Sequence, residues 1–441
     1  MKSIYISILF SLAGVQLGFC QLPKLVLAEA IQQTIAQNPS IKIQRMETTI
    51  AQNNVFKGNA GYLPTINAVA GASYLNSFAD VKLRTFQVEP EFIEIEEAGV
   101  ETINANIGVE AAYALYDGKS RQHRYALLEG LSALEQAKQE ALINDIASNV
   151  TQLYLEILKL QNQAAFLREN IENSKARIQK VEDRKQFGKA SSLDVLQLQS
   201  ALNTDEAALD DVILIKDNLI KDLNFLMGQP IEQAFEAVPV VEAIAVPSLD
   251  AINTAILTKN PQLILSRNGI QLADYELQLA EAAKQPVVAA FANVGYNYQR
   301  NDVQQLARIN NAGVTIGLSA TYNLFDGGVR KNRIQNAQVS ANIERNRLEL
   351  AKEQLLNQAL QERSRLLLLQ AQLKREQENL VTFEEAYAKT EDLFLVGKAN
   401  NLALRDAQLA RLNGQLRIDQ IKIDLVKAQR QLQQLMGELV E

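Results

Sequence analysis

Apolar residues recur every three to four positions along most of the chain, which is the spacing of one face of an α-helix. Neither Gly nor Pro interrupts residues 131–187 or residues 329–396. These runs predict two helices of roughly 65–70 residues, each about 100 Å long at 1.5 Å per residue. On the first of them, a coiled-coil seam is predicted from residues spaced by three and four: Ile143, Ile146, Val150, Leu153, Ile157 and Leu160.

Shorter helices are predicted on both sides of each long one. A return helix of about 36 residues is predicted from near residue 192 to 227, and again from near 402 to 436. Gly188 and Gly397 precede these helices and suit left-handed turns. An opening helix of similar length is predicted over 25–61. Two short helices stacked end to end would match one long helix and pack beside it. A plain antiparallel coiled coil without a duct remains an alternative at this point.

Four other stretches alternate apolar and polar residues with a period of two, as a strand with one apolar face does. Their apolar residues are Ile66, Ala68, Ala70, Ala72 and Tyr74; Ile103, Ala105, Ile107, Val109, Ala111, Tyr113 and Leu115; Val288, Ala290, Ala292, Val294 and Tyr296; Val314, Ile316, Leu318, Ala320, Tyr322 and Leu324. Each run reaches the ~9–11 residues of a tilted transmembrane strand, with a Tyr near one end. A half-buried soluble strand alternates too, so alternation alone is a weak indication.

Four strands cannot close a barrel around an aqueous lumen, because natural membrane barrels start at about eight strands. An open sheet edge is excluded from lipid, since its backbone groups would be unpaired. The chain is therefore predicted to oligomerise. Three copies in a ring with cyclic symmetry supply about 12 strands and as many helical positions. The prediction is a hollow tube with a barrel at one end.

The predicted elements occur twice in the same order. Motifs recur at an offset of 222 in the early part of each copy and at an offset of 209 later. The pairs are Asn38-Pro39 with Asn260-Pro261, Tyr116-Asp117-Gly118 with Phe325-Asp326-Gly327, and Leu226-Met227-Gly228 with Leu435-Met436-Gly437. The change of offset indicates 13 extra residues in the first hairpin. We predict a first repeat over 21–229, a linking segment over 230–246 and a second repeat over 247–441.

The first 20 residues have the order of a secretory signal peptide: Lys2, an apolar stretch over about 4–15, then small residues. Cleavage after Cys20 is the preferred prediction. Lipidation of Cys20 is the alternative, because Leu17 lies three residues before it, as in a lipobox. Both imply that the chain crosses the inner membrane. No later stretch reaches about 18 uninterrupted apolar residues, so no transmembrane helix is predicted.

The scarce residue types exclude most enzyme classes. The chain has one His (His123), one Cys (Cys20) and no Trp, and its net charge is −7. A zinc site or a Ser-His-Asp triad would lack ligands or a base, and His123 lies in a charged helical stretch typical of a structural His. No phosphate-binding loop follows a strand. The negative charge argues against nucleic acid. We predict no enzyme, metal site, cofactor or nucleic-acid partner.

Taken together, these features resemble the TolC family of outer-membrane efflux proteins over essentially the whole mature chain. The resemblance rests on LVLAEAIQQTIAQNPSI, YALYDGKSR, YNLFDGGVRKNRI, FGKASSLDV and VGKANNLAL. It implies an α+β membrane protein, a homotrimeric channel-tunnel. A 12-stranded β-barrel would lie in outer-membrane lipid, and a barrel of long antiparallel coiled-coil helices would cross the periplasm. Residues 230–246 would belong to an equatorial collar.

The resemblance also implies a function without catalysis. A member of the family passively conducts substrates delivered by an inner-membrane transporter, of the RND, ABC or MFS class, and by a periplasmic adaptor (membrane fusion protein). Such channels serve tripartite efflux or type I secretion. A periplasmic coiled-coil scaffold or adaptor without a pore is the alternative, but an adaptor would normally carry one hairpin and compact β domains.

The functional residues implied by the resemblance lie at the helix-hairpin tips. The adaptor-contacting residues would be Phe187, Gly188, Lys189, Ala190, Val396, Gly397, Lys398 and Ala399. Family tips carry an Asp six residues after the Gly, which Asp194 matches and Ala403 does not. Asp406 matches a second Asp, and a ring of three Asp406 carboxylates would favour cations. For Asp194, helix capping is an equal alternative. Ala399 and Phe394 replace the Arg and Tyr that commonly lock the gate.

Overall fold

The structure is a computed structural model that describes residues 22–84, 92–188, 190–301 and 308–439. The predicted signal peptide with Cys20, and Lys189 of the first tip, lie outside the described residues. So does part of the acidic loop of the first hairpin, over 85–91.

Eight helices and six strands are described, and the second half of the chain repeats the order of the first. They are β1 (Lys24–Leu25), α1 (Leu27–Gln37), α2 (Pro39–Asn54), β2 (Thr65–Arg84), β3 (Phe92–Tyr116), α3 (Ser120–Gln186), α4 (Ser192–Met227), β4 (Glu236–Ala237), α5 (Leu249–Lys259), α6 (Pro261–Ala282), β5 (Val287–Asn301), β6 (Arg308–Thr321), α7 (Val329–Leu395) and α8 (Asn401–Met436). Helices α3 and α7 both have 67 residues, and α4 and α8 both have 36. The predicted long and return helices are confirmed.

The opening helix is two helices, so the prediction of a single helix over 25–61 is wrong. Asn38 has a ψ of 126°, the extended conformation favoured before a proline. Pro39 then begins α2, where its missing N–H costs nothing, and α2 ends at Asn54. The second copy breaks at the equivalent place, where Asn260 caps α6 by accepting a hydrogen bond of 2.9 Å from the backbone N–H of Gln262.

The chain forms two compact units, each of which draws on both predicted repeats. One, the helical unit, comprises the described residues up to Pro39, within Ile143–Ile252 and from Gln358 onward. The other, the sheet unit, comprises Ser40–Leu142 and Asn253–Asn357. The two compact units therefore do not coincide with the two sequence repeats, and the repeat boundaries stay a prediction.

The sheet unit contains one antiparallel sheet of four strands in the order β2-β3-β5-β6. Directly opposite residues of neighbouring strands lie on the same face. One apolar row across all four strands is Ala68, Val109, Val294 and Val314, and the next is Ile66, Ala111, Ala292 and Ile316. Between them runs a polar row of Asn67, Glu110, Asn293 and Thr315. The predicted alternation is confirmed: the sheet has one apolar face and one polar face.

The two hairpins of the sheet differ in length. Strands β2 and β3 have 20 and 25 residues, whereas β5 and β6 have 15 and 14. The extra residues of the first copy thus lengthen its strands. Strand β6 ends at Thr321, so Tyr322 and Leu324 lie beyond the strand in which they were predicted. The carbonyl of Asn323 accepts a hydrogen bond of 3.1 Å from Arg330 Nη2 and so leaves the ladder.

The repeated Asp-Gly motif forms the same junction from strand to long helix in both copies. Asp117 accepts a hydrogen bond of 2.9 Å from the backbone N–H of Arg121 and lies 3.4 Å from its Nε atom. Arg121 also donates to the carbonyl of Leu115 at 3.2 Å. Asp326 and Arg330 repeat this pairing, at 3.1 Å and 3.6 Å. The glycine after each Asp has φ of 66° or 67°, which a residue with a side chain rarely adopts. The motif therefore fixes where each long helix starts.

Helices α3 and α4 pack together in the helical unit along an apolar seam. Of the predicted seam residues, Ile146, Val150, Ile157 and Leu160 are buried, and Ile143 and Leu153 are half-buried. Nearer the tips, Ile171, Ile178, Val181, Leu198 and Leu202 form a further buried cluster. Among the described residues, no helix has both the length and the apolar character needed to cross a membrane.

The linking segment is held by buried polar side chains of the helical unit. The Tyr154 side chain is fully buried, and its hydroxyl lies 2.8 Å from the carbonyl of Leu25 and 2.7 Å from that of Val238. Burial raises the pKa of Tyr154 to about 12, against the effect of the Val238 hydrogen bond. Asn224 donates to the carbonyls of Ile231 and Gln233. The Tyr154 contacts tie the parallel pair β1 and β4 to the long helix α3, and the Asn224 contacts tie the start of the linking segment to α4.

Replacing Tyr154 with Phe is expected to lower the free energy of unfolding of the helical unit by about 1–3 kcal/mol, because buried carbonyls lose their donor. The midpoint of thermal unfolding in detergent measures the effect. Tyr387→Phe is the matched control, since the Tyr387 hydroxyl bonds the exposed Glu391 at 3.1 Å. It is expected to change stability by less than about 0.5 kcal/mol. Equal midpoints for the two variants would contradict the prediction.

Candidate gate and docking surface at the helix tips

The turn between α3 and α4 at the first tip is formed by a left-handed glycine and a capping box. Gly188 has φ of 66°, and its N–H donates to the carbonyl of Lys185 at 2.9 Å. Ser191 caps α4: its hydroxyl oxygen accepts from the backbone N–H of Asp194 at 3.1 Å, and the Asp194 carboxylate accepts from the backbone N–H of Ser191 at 2.8 Å. The hydrogen bonds that the carboxylate accepts from the backbone N–H and the hydroxyl of Ser191 lower the pKa of Asp194. The capping role that was an alternative for Asp194 is therefore present.

The second tip has the same turn but a simpler cap. Gly397 has φ of 76°, and the N–H of Lys398 donates to the carbonyl of Leu393 at 2.8 Å. Asn400 caps α8 by accepting from the backbone N–H of Ala403 at 2.8 Å. Because Ala403 stands where the first copy has Asp194, no carboxylate completes a capping box here. The sequence difference between the copies thus becomes a difference in how firmly each turn is held.

The tips expose apolar side chains at equivalent positions. Phe187 is 78% exposed and Val396 is 67% exposed, each directly before the left-handed glycine. Lys398 is also exposed, while Ala399 is half-buried and Ala190 packs on the α3–α4 cluster. Apolar tips next to a lysine offer a partner both surface to bury and a charge to pair.

Asp406 is exposed on α8. In the part of the chain that the structure describes, its carboxylate takes part in no hydrogen bond or ion pair, unlike that of Asp194. A carboxylate without a partner in its own chain has its oxygens free to contact a passing ion.

Above the tips, buried polar side chains join the two hairpins of one chain. Arg177 on α3 donates to the side-chain oxygen of Gln408 on α8, and both residues are less than a tenth exposed. Asp205 on α4 accepts from Asn170 at 2.8 Å and lies 4.0 Å from Arg405 on α8. Burial and the neighbouring Arg405 lower the pKa of Arg177. Burial raises the pKa of Asp205, against the attraction of Arg405. We call these five residues the tip network.

Helix α7 is joined to the same region through aromatic rings. The guanidinium carbon of Arg184 lies 5.0 Å from the centre of the Phe394 ring, and that of Arg411 lies 4.8 Å from the Tyr387 ring. Such cation–π contacts are worth about 0.5–1 kcal/mol at exposed sites. Phe394 occupies the position of the Tyr that commonly locks the gate in the family that the sequence resembles. Here it pairs with an arginine of the other hairpin.

The tip network was missed by sequence analysis. The sequence contains one indication of it, because Asn170, Ser174 and Arg177 follow one another at spacings of four and three. Polar residues at seam spacing inside an apolar helix face predict a buried polar contact with a neighbouring helix. Nothing in the spacing identifies Gln408, which lies 231 residues further along the chain.

Among the described residues, no three His, Cys, Asp or Glu side chains come together as they would around a metal ion.

Comparisons with known proteins agree with this architecture. A family model for outer membrane efflux proteins matches residues 30–228 and 253–438. The chain is 24% identical over 251 residues to the pyoverdine export outer membrane protein OpmQ of Pseudomonas aeruginosa, covering 57% of this chain and 52% of that protein. It is 27% identical over 216 residues to the alkaline protease secretion protein AprF of the same species, covering 45% and 44%. The chain thus spans about half of each relative's length.

The fold is that of a solved outer-membrane channel. The structure of CmeC from Campylobacter jejuni superimposes with a TM-score of 0.76 over 94% of this chain and 86% of that one, at 15% identity.

Proposed function

Because the chain belongs to the outer membrane efflux protein family, a family of channel proteins, and is therefore an outer-membrane protein that extends into the periplasm, we propose that it forms the outer-membrane duct of a tripartite efflux or type I secretion system. Substrates would pass through it without chemical change, from an inner-membrane transporter and a periplasmic adaptor to the outside.

The observation that carries this proposal is the sheet. Its apolar rows match the requirement of a lipid-facing surface, and its polar rows suit a water-filled lumen. Strands β2 and β6 are the edges of the sheet, and each pairs on one side only among the described residues. Unpaired backbone groups are costly in lipid, so the edges must pair with other copies. We propose a homotrimer whose 12 strands close one barrel, as about twelve strands leave room for a lumen.

Passage would be controlled at the tips. We propose that Asp406 of three chains forms a carboxylate ring at the periplasmic entrance and that the exposed tip residues contact the adaptor. Asp194 is a weaker candidate for the ring, because its carboxylate already caps α4. We further propose that the tip network holds the closed state. It links α3 and α4 to α8, and these helices would have to separate for the entrance to widen.

The names of the relatives indicate only the broad class of substrate and transporter. OpmQ is named for pyoverdine export and AprF for alkaline protease secretion. Such a duct would conduct either a small molecule or a protein. The transporter would be of the RND, ABC or MFS class.

Single-channel conductance in planar bilayers tests the duct and its entrance ring together. Wild-type protein is expected to give stable, cation-selective openings. Asp406→Ala is expected to lower the cation-to-anion permeability ratio by about fivefold or more, because the attraction between unit charges at 4 Å is worth about 1 kcal/mol in water, which is about a fivefold change in an equilibrium constant.

Asp194→Ala is the matched control, since it removes a carboxylate that is occupied in a helix cap. It is expected to leave ion selectivity nearly unchanged and to lower the stability of the α4 start by about 1 kcal/mol. Loss of selectivity in Asp194→Ala but not in Asp406→Ala would reverse the assignment. A protein that extracts without detergent and conducts nothing would contradict the duct and favour a periplasmic scaffold.

A further inference from the structure

Positive charge is concentrated at the end of the sheet from which the long helices leave. The four segments at this end, over 55–64, 117–125, 281–286 and 322–333, contain eight Lys and Arg residues but only three acidic residues. All four segments belong to the sheet unit. The excess is thus a local property of the strand ends in a chain whose net charge is −7.

The three acidic residues are already paired within their own segments. Asp117 pairs with Arg121 at 3.4 Å, Asp326 with Arg330 at 3.6 Å, and Glu281 with Lys284 at 3.7 Å. Five cations remain, and we call them the basic collar: Lys57, Lys119, Arg124, Lys331 and Arg333. All five are exposed, and none forms an ion pair with an acidic residue within the described ranges. The collar therefore carries five positive charges that the fold itself does not use.

Exposed apolar and aromatic side chains lie next to the collar in the sequence. Leu324 is 85% exposed, Phe325 is 86% exposed and Tyr322 is 55% exposed, immediately after β6. Tyr116 is 43% exposed at the end of β3. Aromatic side chains of this kind are enriched where a membrane meets water, because their rings suit the headgroup level. The cations follow directly after them, beyond the ends of the apolar rows.

We propose that the basic collar binds the headgroups of anionic phospholipids in the inner leaflet of the outer membrane. This inference rests on the proposed duct, in which the strand ends that lead into the helices would face the periplasm and the collar would lie at the depth of that leaflet's phosphates. Lys and Arg near an anionic lipid surface strengthen attraction by about fivefold each. A zwitterionic headgroup carries its own positive charge and gains less.

The sequences that join the strands at their other ends have the opposite charge. Residues 75–101 and 297–312 together contain eight acidic residues and four basic ones. Anionic headgroups are repelled there and attracted at the collar. The charge asymmetry thus favours one orientation of the sheet in the membrane, in addition to the fit between apolar rows and lipid.

Arg124 and Arg333 occupy equivalent positions in the two copies, so this part of the collar is a repeated feature of the chain and not a chance cluster. They are related by the same offset of 209 as the Asp-Gly junctions beside them. In a ring of several copies each junction recurs, and the collar encircles the strand ends.

The test measures which lipids contact the purified full-length protein in vesicles that contain equal amounts of phosphatidylglycerol and phosphatidylcholine. Spin-labelled analogues of each lipid report the fraction immobilised at the protein surface. Wild type is expected to prefer phosphatidylglycerol by about threefold or more, and the preference is expected to fall in about 0.5 M salt, where the Debye length is only a few ångströms. A variant with all five collar cations replaced by Gln is expected to show a ratio near one.

The matched control replaces five exposed lysines of the helical unit with Gln: Lys180, Lys185, Lys221, Lys374 and Lys389. It changes net charge equally and is expected to keep the wild-type preference. The pair Arg124→Gln and Arg333→Gln, which is a milder change, is expected to give an intermediate ratio even if the fivefold variant does not assemble.

No preference in wild type, an unchanged preference in the Arg124→Gln and Arg333→Gln pair, or an equal loss in the control would each overturn the proposal. Displacement of the immobilised lipid by millimolar glycerol phosphate would assign the site to free phosphate instead. Because the readout is lipid contact, its failure is distinct from failure of the duct, which is read from conductance.

Discussion

Replacing Gln408 with leucine is expected to make the channel leak. Gln408 is the hydrogen-bond acceptor of the buried Arg177 guanidinium, and leucine leaves that cation without it. A hydrogen bond to a charged group contributes about 1.5–3 kcal/mol, and a buried charge that loses its partner costs at least as much. If the tip network holds the closed state, the open population rises by about ten- to hundredfold.

Leak is measured as the open probability of single channels. In cells, it is measured as the uptake of an antibiotic too large for an intact outer membrane. Both readouts are expected to increase in Gln408→Leu. Gln415→Leu, on the same helix but with an exposed side chain bonded weakly to the half-buried Asp419 at 3.5 Å, is the control and is expected to behave as wild type.

The double variant Arg177→Met, Gln408→Leu separates a lost link from general damage. Replacing a buried polar pair by apolar residues of similar size is often neutral or stabilising, because neither desolvated group remains. The double variant is therefore expected to restore closure toward the wild-type level. A double variant that leaks as much as the single one, with normal assembly, would show that the contact between Arg177 and Gln408 does not set the gate.

The sequence predicts the long helices and the faces of the sheet because both depend on local patterns. A helix without Gly or Pro keeps its 3.6-residue period, and a strand keeps its period of two. Each strand has its own series of apolar residues, and the register of the strands places these residues opposite one another. The result is rows such as Ala68, Val109, Val294 and Val314. Helix α1 was predicted to continue through Pro39, because the apolar spacing persists beyond it. The backbone chemistry of proline outweighs that spacing.

The tip region was predicted only in part, because its contacts join residues that are far apart in sequence. The glycine turns and a helix-capping role for Asp194 are local and were predicted, the latter as an alternative. The link from Arg177 to Gln408 depends on how two separate hairpins pack, and no short motif records that. The same limit applied to Tyr322: its alternating pattern continued, but a hydrogen bond from Arg330 to its neighbour Asn323 ends the strand first.

Replacing Ile316 with arginine is expected to prevent assembly in the membrane. Ile316 lies in the middle of β6, in an apolar row of the sheet, and is 79% exposed in the single chain. An arginine on the lipid face of a barrel costs about 2–4 kcal/mol near the bilayer midplane. In the proposed trimer that cost is multiplied by about three, and the sum is comparable to the total stability of many domains. The amount of heat-modifiable oligomer extracted from outer membranes measures the effect.

Thr315→Arg is the matched control, because the neighbouring residue lies in the polar row with Glu110 and Asn293. There the new side chain would face the proposed polar lumen, in the same row as an acidic residue, so oligomer yield is expected to stay within about twofold of wild type. The pair of variants differs by one position and by the face of the sheet, while the added charge is identical. An equal loss of oligomer in both variants would mean that the two faces of β6 do not face lipid and water, respectively. Normal assembly of Ile316→Arg together with loss in Thr315→Arg would place the lumen on the other face.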